Sequence, residues 1–104
     1  METPYVSLKT AARLHKKYPG CFPGNTPSAF DLIENLTTRG FVVQIGSLHF
    51  GSRAIWTCEM VWRGQTARGK VFYSEWNLNL AEALAEVFES YLDHIKGLEQ
   101  QSNG

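Results

Sequence analysis

The sequence has few of the residues from which catalytic centres and metal sites are built. Its two cysteines, Cys21 and Cys58, are isolated and form no Cys-x-x-Cys pair, and its three histidines fall on three different predicted elements. Gly64 and Gly69 belong to a predicted hairpin, so no glycine-rich phosphate loop leads from a strand into a helix. We therefore expect a protein without catalytic activity, bound metal or cofactor.

Net charge and long apolar runs are also missing. Ten basic residues balance ten acidic ones, and no stretch approaches the roughly 18 apolar residues of a membrane span. The first residues show no basic leader followed by an apolar core, and we expect reduced cysteines, so we predict a cytoplasmic protein without membrane association. At 104 residues and 43% apolar content, the chain fits one domain over residues 1–98, followed by a polar tail over residues 99–104.

The charges that are present are unevenly distributed. Residues 1–20 hold four basic residues and one acidic residue, whereas residues 75–104 hold six acidic residues and one basic residue. This polarity fits docking onto a charged partner in one orientation, and it equally fits attraction between two helices of the same chain. The sequence leaves both interpretations open.

Two helices are predicted in the first half of the chain. The first begins at the N-cap Ser7 and ends at Pro19-Gly20, and the second begins near Ser28 and ends near Thr38, before Arg39-Gly40. Their predicted apolar faces are Leu8, Ala11, Ala12 and Leu14 in the first helix, and Phe30, Leu32, Ile33 and Leu36 in the second.

The segment 79–96 has the clearest helical pattern of the chain, with an apolar stripe opposite an acidic one. Asn79 is a candidate N-cap with Glu82 as its capping-box partner, and Leu78 and Ala83 occupy the hydrophobic-staple positions. We expect the apolar stripe to pack on the rest of the domain and the acidic stripe to face outward. The apolar stripe is Leu80, Leu84, Val87, Phe88, Tyr91 and Ile95, and the acidic stripe is Glu82, Glu86, Glu89 and Asp93.

Between the helices the apolar period changes from 3.6 to 2, which predicts three antiparallel strands. The first covers residues 41–50 with a bend or bulge at Gly46, and Gly51-Ser52 forms a two-residue turn to the second, over residues 55–62. A similar turn at Gly64-Gln65 leads into the third strand, residues 66–73. The order α-α-β-β-β-α predicts an α+β fold with helices on one face of a three-stranded meander.

The second strand divides its side chains between two faces, both of them partly apolar. If the final helix covers one face, the other is an exposed interaction surface or dimer interface unless the first two helices cover it. One face carries Trp56, Cys58, Met60 and Trp62, and the other carries Ile55, Thr57, Glu59 and Val61, with Val71 beside them on the third strand.

The acidic stripe has a feature that points to a partner. Its carboxylates recur at helical spacing with no lysine between them, so they repel one another unless a cation relieves them. A row of this kind can bind a basic groove that normally holds nucleic-acid phosphates, although many helices carry acidic residues for solubility alone.

From Thr26 to Ile95, the order helix, three antiparallel strands, helix resembles the topology of double-stranded-RNA-binding domains. In that family the helix after the sheet begins with basic residues that grip phosphate, and a histidine stands between the first two strands. Here the matching helix start carries Glu82 and Glu86, and the matching histidine is His49. The resemblance implies a nucleic-acid-binding domain.

A second resemblance concerns general organisation. A short domain with a tryptophan-bearing strand, a glycine-turn hairpin and a capped final helix rich in alanine and glutamate resembles small phage-encoded proteins, among them anti-CRISPR inhibitors. This resemblance implies a monomeric or homodimeric binder in the cytoplasm of the host cell. Its expected partner is a host protein or ribonucleoprotein complex with a basic groove.

These observations give one hypothesis and two alternatives. The hypothesis is a non-catalytic inhibitor that binds its partner through Glu82, Glu86, Glu89 and Asp93, with Arg63, Gln65 and Arg68 at the rim. One alternative is a nucleic-acid-binding domain that uses Lys9, Arg13, Lys16, Lys17, Arg63, Arg68 and Lys70. The other is a homo-oligomeric subunit that pairs through an uncovered sheet face.

Overall fold

The computed structural model describes residues 5–22, 24–62 and 71–102, including their side chains except those of Phe50, Trp62 and residues 98–102. The predicted α+β order is confirmed, and the final helix extends beyond its predicted end at Lys96 to Ser102. In chain order the elements are α1 (Leu8–Lys17), α2 (Ala29–Thr38), β1 (Phe41–Phe50), β2 (Arg53–Trp62), β3 (Val71–Tyr73) and α3 (Leu80–Ser102).

Side-chain caps fix where the helices begin. The Ser7 hydroxyl accepts a hydrogen bond from the backbone N–H of Thr10, which confirms the predicted N-cap of α1. Ser28 and Asp31 form a full capping box at the start of α2, with hydrogen bonds of 3.0 and 3.1 Å. Each cap satisfies backbone donors that have no partner within the helix.

The start of α3 differs from the prediction in two respects. Asn79 does cap the helix, since its Oδ1 accepts from the backbone N–H groups of Ala81 and Glu82. The Glu82 carboxylate, however, accepts from the N–H of Ser7 instead of returning to the cap, so the predicted capping box is wrong. The predicted staple is also wrong, because Leu78 is exposed while Ala83 is buried.

The buried faces of the first two helices are rotated from those predicted. Ala11 and Leu14 of α1 are buried as expected, but Leu8 is 79% exposed. In α2, Leu32 and Leu36 point into the core while Phe30 is 74% exposed. The α2 sequence contains two overlapping apolar stripes, and packing buries the one that includes Ala29, Leu32 and Leu36.

The β1–β2 hairpin is regular over its whole length. Phe50 pairs with Arg53 around the predicted turn, and Gly51 has the φ of +60° that a glycine-first two-residue turn requires. Gly46 lies directly opposite Thr57 with no extra residue, so the predicted bulge is wrong. A Cβ at Gly46 would approach the Thr57 methyl to 3.1 Å, so glycine here leaves room for its cross-strand neighbour.

The third strand has a different register from the predicted one. A two-residue turn at Gly64-Gln65 would place Arg68 opposite Val61, whereas the structure places Val71 there. The predicted turn itself and residues 66–70 of the predicted strand lie outside the described residues. The register observed within β2 and β3 therefore contradicts the predicted two-residue turn at Gly64-Gln65.

The helices lie on one side of the sheet, where α2 packs on β1 and α3 packs on β2 and β3, while α1 contacts α3. From the strands, the core contains Cys58, Met60 and Phe72. The core therefore shows which face of the sheet the helices cover, a question that the sequence left open. Because the helices cover the Cys58 and Met60 side, the opposite side, which includes Ile55 and Val61, has no helix over it among the described residues. The helical side of the core is Ala11, Leu14, Ala29, Leu32, Leu36, Ala81, Ala83, Leu84, Ala85, Val87, Phe88 and Leu92.

Candidate functional site

The acidic stripe of α3 lies against the basic helix α1. One Glu89 carboxylate oxygen accepts from the Arg13 guanidinium at 2.5 Å and from the Lys17 ammonium at 3.0 Å. Lys17 also reaches Asp93 at 3.0 Å, and the Tyr18 hydroxyl donates to the same Asp93 oxygen. Positive and negative charges that are far apart in the sequence thus meet between these two helices.

The other two carboxylates of the stripe bind backbone groups. Glu82 accepts from the N–H of Ser7 at 2.9 Å, and Glu86 accepts from the N–H of Glu75 at 3.1 Å. All four members of the stripe therefore have hydrogen-bond donors within the chain. The ion pairs of Glu89 and Asp93 with α1 match one of the two interpretations of the charge pattern, the attraction between two helices of the same chain.

These contacts change the titration of the groups involved. Burial alone would raise the pKa of Glu89, but hydrogen bonds from Arg13 and Lys17 outweigh burial, and the pKa is lowered. For Asp93, hydrogen bonds from Tyr18 and Lys17 likewise overcome burial and lower the pKa. Burial and the Asp93 hydrogen bond raise the pKa of Tyr18 to about 12. The hydrogen bonds to Glu89 and Asp93 also raise the pKa values of Arg13 and Lys17, respectively.

The predicted nucleic-acid-binding residues are only partly brought together. Arg13 and Lys17 are engaged with carboxylates of α3, while Lys9 and Lys16 are exposed on α1. The remaining members of the predicted rim and basic cluster, Arg63, Gln65, Arg68 and Lys70, lie outside the described residues. All four cations of this set in the described part of the chain are solvent-exposed, but Arg13 and Lys17 are already paired with carboxylates of α3.

The uncovered side of the sheet is a surface that the sequence presented only as one of two possibilities. We call it the open face. Tyr73 is 64% exposed, Leu48 is 48% exposed and Val42 is 37% exposed. The open face comprises Val42, Gln44, Gly46 and Leu48 of β1, Ile55, Thr57, Glu59 and Val61 of β2, and Val71 and Tyr73 of β3.

Cross-strand pairing gives the open face an ordered arrangement. Val42, Val61 and Val71 form one row across the three strands, and Leu48 stands opposite Ile55 further along. Between these apolar rows lies a polar row that includes Glu59, the one carboxylate of the open face. Such alternation of apolar and polar rows suits recognition of another protein.

The described residues show no cluster of side chains suited to metal binding. No group of three or more His, Cys, Asp or Glu side chains within them has the arrangement to hold a metal ion. The Cys58 thiol is buried, and burial raises its pKa to about 11, which keeps it protonated at neutral pH. No helix in the described ranges is long and apolar enough to cross a membrane.

Comparisons of this chain with protein-family models, with curated proteins and with solved structures gave no match. The resemblances to double-stranded-RNA-binding domains and to phage-encoded inhibitors therefore stay predictions.

Proposed function

We propose that this domain is a non-catalytic binding module that recognises another protein through the open face of its sheet. The observation that carries this proposal is the exposure of Val42, Leu48 and Tyr73 on one side that no described helix covers. Ordinary antiparallel sheets that face water on one side are polar on that side, whereas this one keeps rows of valine and leucine there. An exposed surface that carries apolar rows of this kind is typical of protein–protein contacts.

The chemistry of the open face favours protein over nucleic acid. Nucleic-acid binding depends on lysine and arginine that neutralise phosphates, and the described open face contains one carboxylate, Glu59, amid apolar and neutral side chains. The exposed cations Lys9 and Lys16 lie on α1, in the helical layer on the other side of the sheet. The described open face has few charged side chains and carries the exposed aromatic Tyr73, and both are features of a protein-interface core.

For the partner, we retain the hypothesis of an inhibitor directed at a host protein or ribonucleoprotein complex, of the kind that phage-encoded inhibitors block. What supports it is the resemblance in organisation. In the hypothesis drawn from the sequence, the acidic stripe binds the partner's basic groove. That mechanism would require α1 to move away from Glu89 and Asp93. We therefore base the proposed binding surface on the open face, which is accessible without rearrangement of the described elements.

The test is capture of partners by tagged protein from nuclease-treated bacterial lysate, read by quantitative mass spectrometry. Leu48→Lys and Tyr73→Lys each place a charge at an exposed position of the open face, so the fold should be retained. We expect both variants to lose at least ten-fold of the specifically captured protein. Circular dichroism and thermal unfolding of each variant test whether the fold is retained.

Leu8→Lys is the matched control, because Leu8 is an exposed leucine on the helical side. It should capture as much partner as the unmodified protein. Equal capture by the Tyr73→Lys and Leu8→Lys variants would contradict the proposal. In a parallel capture from untreated lysate, recovery of nucleic acid that is lost after nuclease treatment would favour the nucleic-acid-binding alternative.

A further inference from the structure

Within the described ranges, the outer edge of β1 is a second feature without a partner, distinct from the open face. Trp56 exchanges backbone hydrogen bonds with Asn77, and the Cys58 carbonyl accepts from the N–H of Ser74, so even-numbered residues of β2 point their backbone groups away from β1. In an antiparallel ladder these directions alternate, so the odd-numbered residues of β2 bond to β1. With Thr57 opposite Gly46, the residues of β1 that bond to β2 are the even-numbered ones.

The odd-numbered residues of β1 consequently direct their N–H and C=O groups to the outside of the sheet. We call the groups of Val43, Ile45, Ser47 and His49 the open edge. Within the described residues, no hydrogen bond from a loop, turn or cap reaches these backbone groups. Side chains at Ile45, Ser47 and His49 are exposed as well, because the helical layer does not extend over this end of the hairpin.

The open edge has none of the devices by which proteins usually protect such strands. Natural edges are shortened, bulged or furnished with lysine or proline. β1 is 10 residues long, pairs with β2 without a bulge and contains no charged residue and no proline. An edge of this length and neutrality is a template for addition of another strand.

We propose that the open edge pairs with the open edge of a second copy of this chain, antiparallel and about a two-fold axis at Ile45. In this register Val43 lies opposite Ser47 of the second copy, and the two Ile45 residues exchange both backbone hydrogen bonds. Every pair joins odd-numbered residues, so the outward N–H and C=O groups of both copies are in phase. A two-fold axis closes the assembly as a dimer.

The side chains favour a second copy over an unrelated strand. Ile45 is 40% exposed on the helical side of the sheet, and the axis brings it against Ile45 of the second copy. On the open face, exposed Val42 meets Leu48 of the second copy, and Gln44 meets Gly46, where the missing side chain leaves space. Since residues 41–50 carry no Lys, Arg, Asp or Glu, self-pairing brings no like charges together.

The dimer would contain one six-stranded sheet with both open faces on the same side, which doubles the surface assigned to partner binding. The dimer is inferred from the backbone directions and side chains of β1, of which Val42 and Leu48 also belong to the open face. Tyr73 separates the dimer from the proposed function, because it lies on β3, at the opposite edge of the sheet from β1.

Sedimentation equilibrium of the full chain tests the proposal. The mass should rise from 11.7 kDa toward twice that value as the protein concentration increases. Ser47→Pro should remain at the monomer mass, because proline removes an outward N–H and no bond of the β1–β2 ladder. If proline disturbs the hairpin, Ser47→Lys tests the same edge with a charge, while Ser52→Lys in the turn is the matched control that should still dimerise.

Tyr73→Lys should also dimerise normally, even where it abolishes capture of a partner. A protein that stays at the monomer mass at every concentration overturns the proposal. A dimer that both Ser47 variants leave intact, or one that Tyr73→Lys abolishes, overturns it too, because the copies would then meet elsewhere. Concentration-dependent protection of the Ile45 and Ser47 amides from hydrogen exchange is the residue-level signature expected.

Discussion

Glu89 is held between two cations of α1 while only 14% of its side chain is exposed to solvent. Removing a carboxylate from water costs free energy, and the hydrogen bonds from Arg13 and Lys17 offset that cost. Both cations keep more contact with water, with 55% and 39% of their side chains exposed. Neutralising Glu89 should therefore weaken this contact most, because both Arg13 and Lys17 donate hydrogen bonds to it.

Glu89→Gln should lower the free energy of unfolding by about 1–2 kcal/mol, because two charge-assisted hydrogen bonds are weakened at a mostly buried position. Urea denaturation followed by circular dichroism measures the change. Glu34→Gln, on an exposed part of α2, should change the value by less than about 0.5 kcal/mol. An equal effect of the two substitutions would show that the contact with α1 contributes no stability.

Among the elements, α3 depends on one residue at its start for two different contacts. The Asn79 Oδ1 caps the first turn, and the Asn79 Nδ2 donates to the carbonyl of Tyr5 at 2.9 Å. The segment before α1 is thereby joined to the beginning of α3, next to the contact between Glu82 and Ser7. The capping residue therefore holds the start of α1 beside the start of α3.

Asn79→Ala should lower the free energy of unfolding by about 1–2 kcal/mol, because both the cap and the contact with Tyr5 are lost. Asn79→Asp keeps an oxygen for the cap but loses the donor to Tyr5, so its effect should be smaller. Thermal unfolding of the two variants separates the contributions. If aspartate is as destabilising as alanine, the contact with Tyr5 dominates and the cap contributes little.

The docking of α1 on α3 should also depend on pH. Glu89 and Asp93 have lowered pKa values in the folded protein, so their stabilisation is fully present above their ordinary pKa of about 4 and is lost as the pH falls through the lowered values. The raised pKa values of Arg13 and Lys17 also contribute to the stability of the folded protein. This contribution is present at neutral pH and is lost only as the pH rises into strong alkali.

Unfolding temperatures from neutral pH to about pH 2.5 give the measurement. We compare the unmodified protein with a variant that carries Glu89→Gln and Asp93→Asn. The unmodified protein should be more stable at neutral pH, and the difference should shrink in acid as its carboxylates become protonated. A difference that stays constant over the whole range would contradict an electrostatic contribution from this contact.

For the molecule as a whole, the sequence predicted what local patterns control. The element order, the caps Ser7 and Asn79 and the turn at Gly51-Ser52 depend on neighbouring residues, and the structure confirms them. The sequence also offers the acidic stripe and one face of the sheet as candidate interaction surfaces. It did not decide which face of the sheet the helices cover, because both sides of β2 carry apolar residues.

What the sequence could not predict depends on contacts between distant segments. Leu8 and Phe30 belong to plausible apolar stripes, yet they are exposed because packing on α3 and β1 selects other residues. The acidic stripe was expected to face outward, since nothing local shows that Arg13 and Lys17 lie beside it. The basic residues of α1 were the sequence feature that indicated this contact. Attraction between the two helices was one of the two interpretations of the charge pattern.

Site-specific photo-crosslinking tests the central claim, recognition of a protein by the open face, most directly. A benzophenone side chain replaces Tyr73 on the open face in one protein and Phe30 on the helical side in another, and both positions are exposed and aromatic. After irradiation in nuclease-treated bacterial lysate, we predict a discrete protein adduct from position 73 and none from position 30. An adduct from position 30 alone, or the same adduct from both positions, would contradict the account.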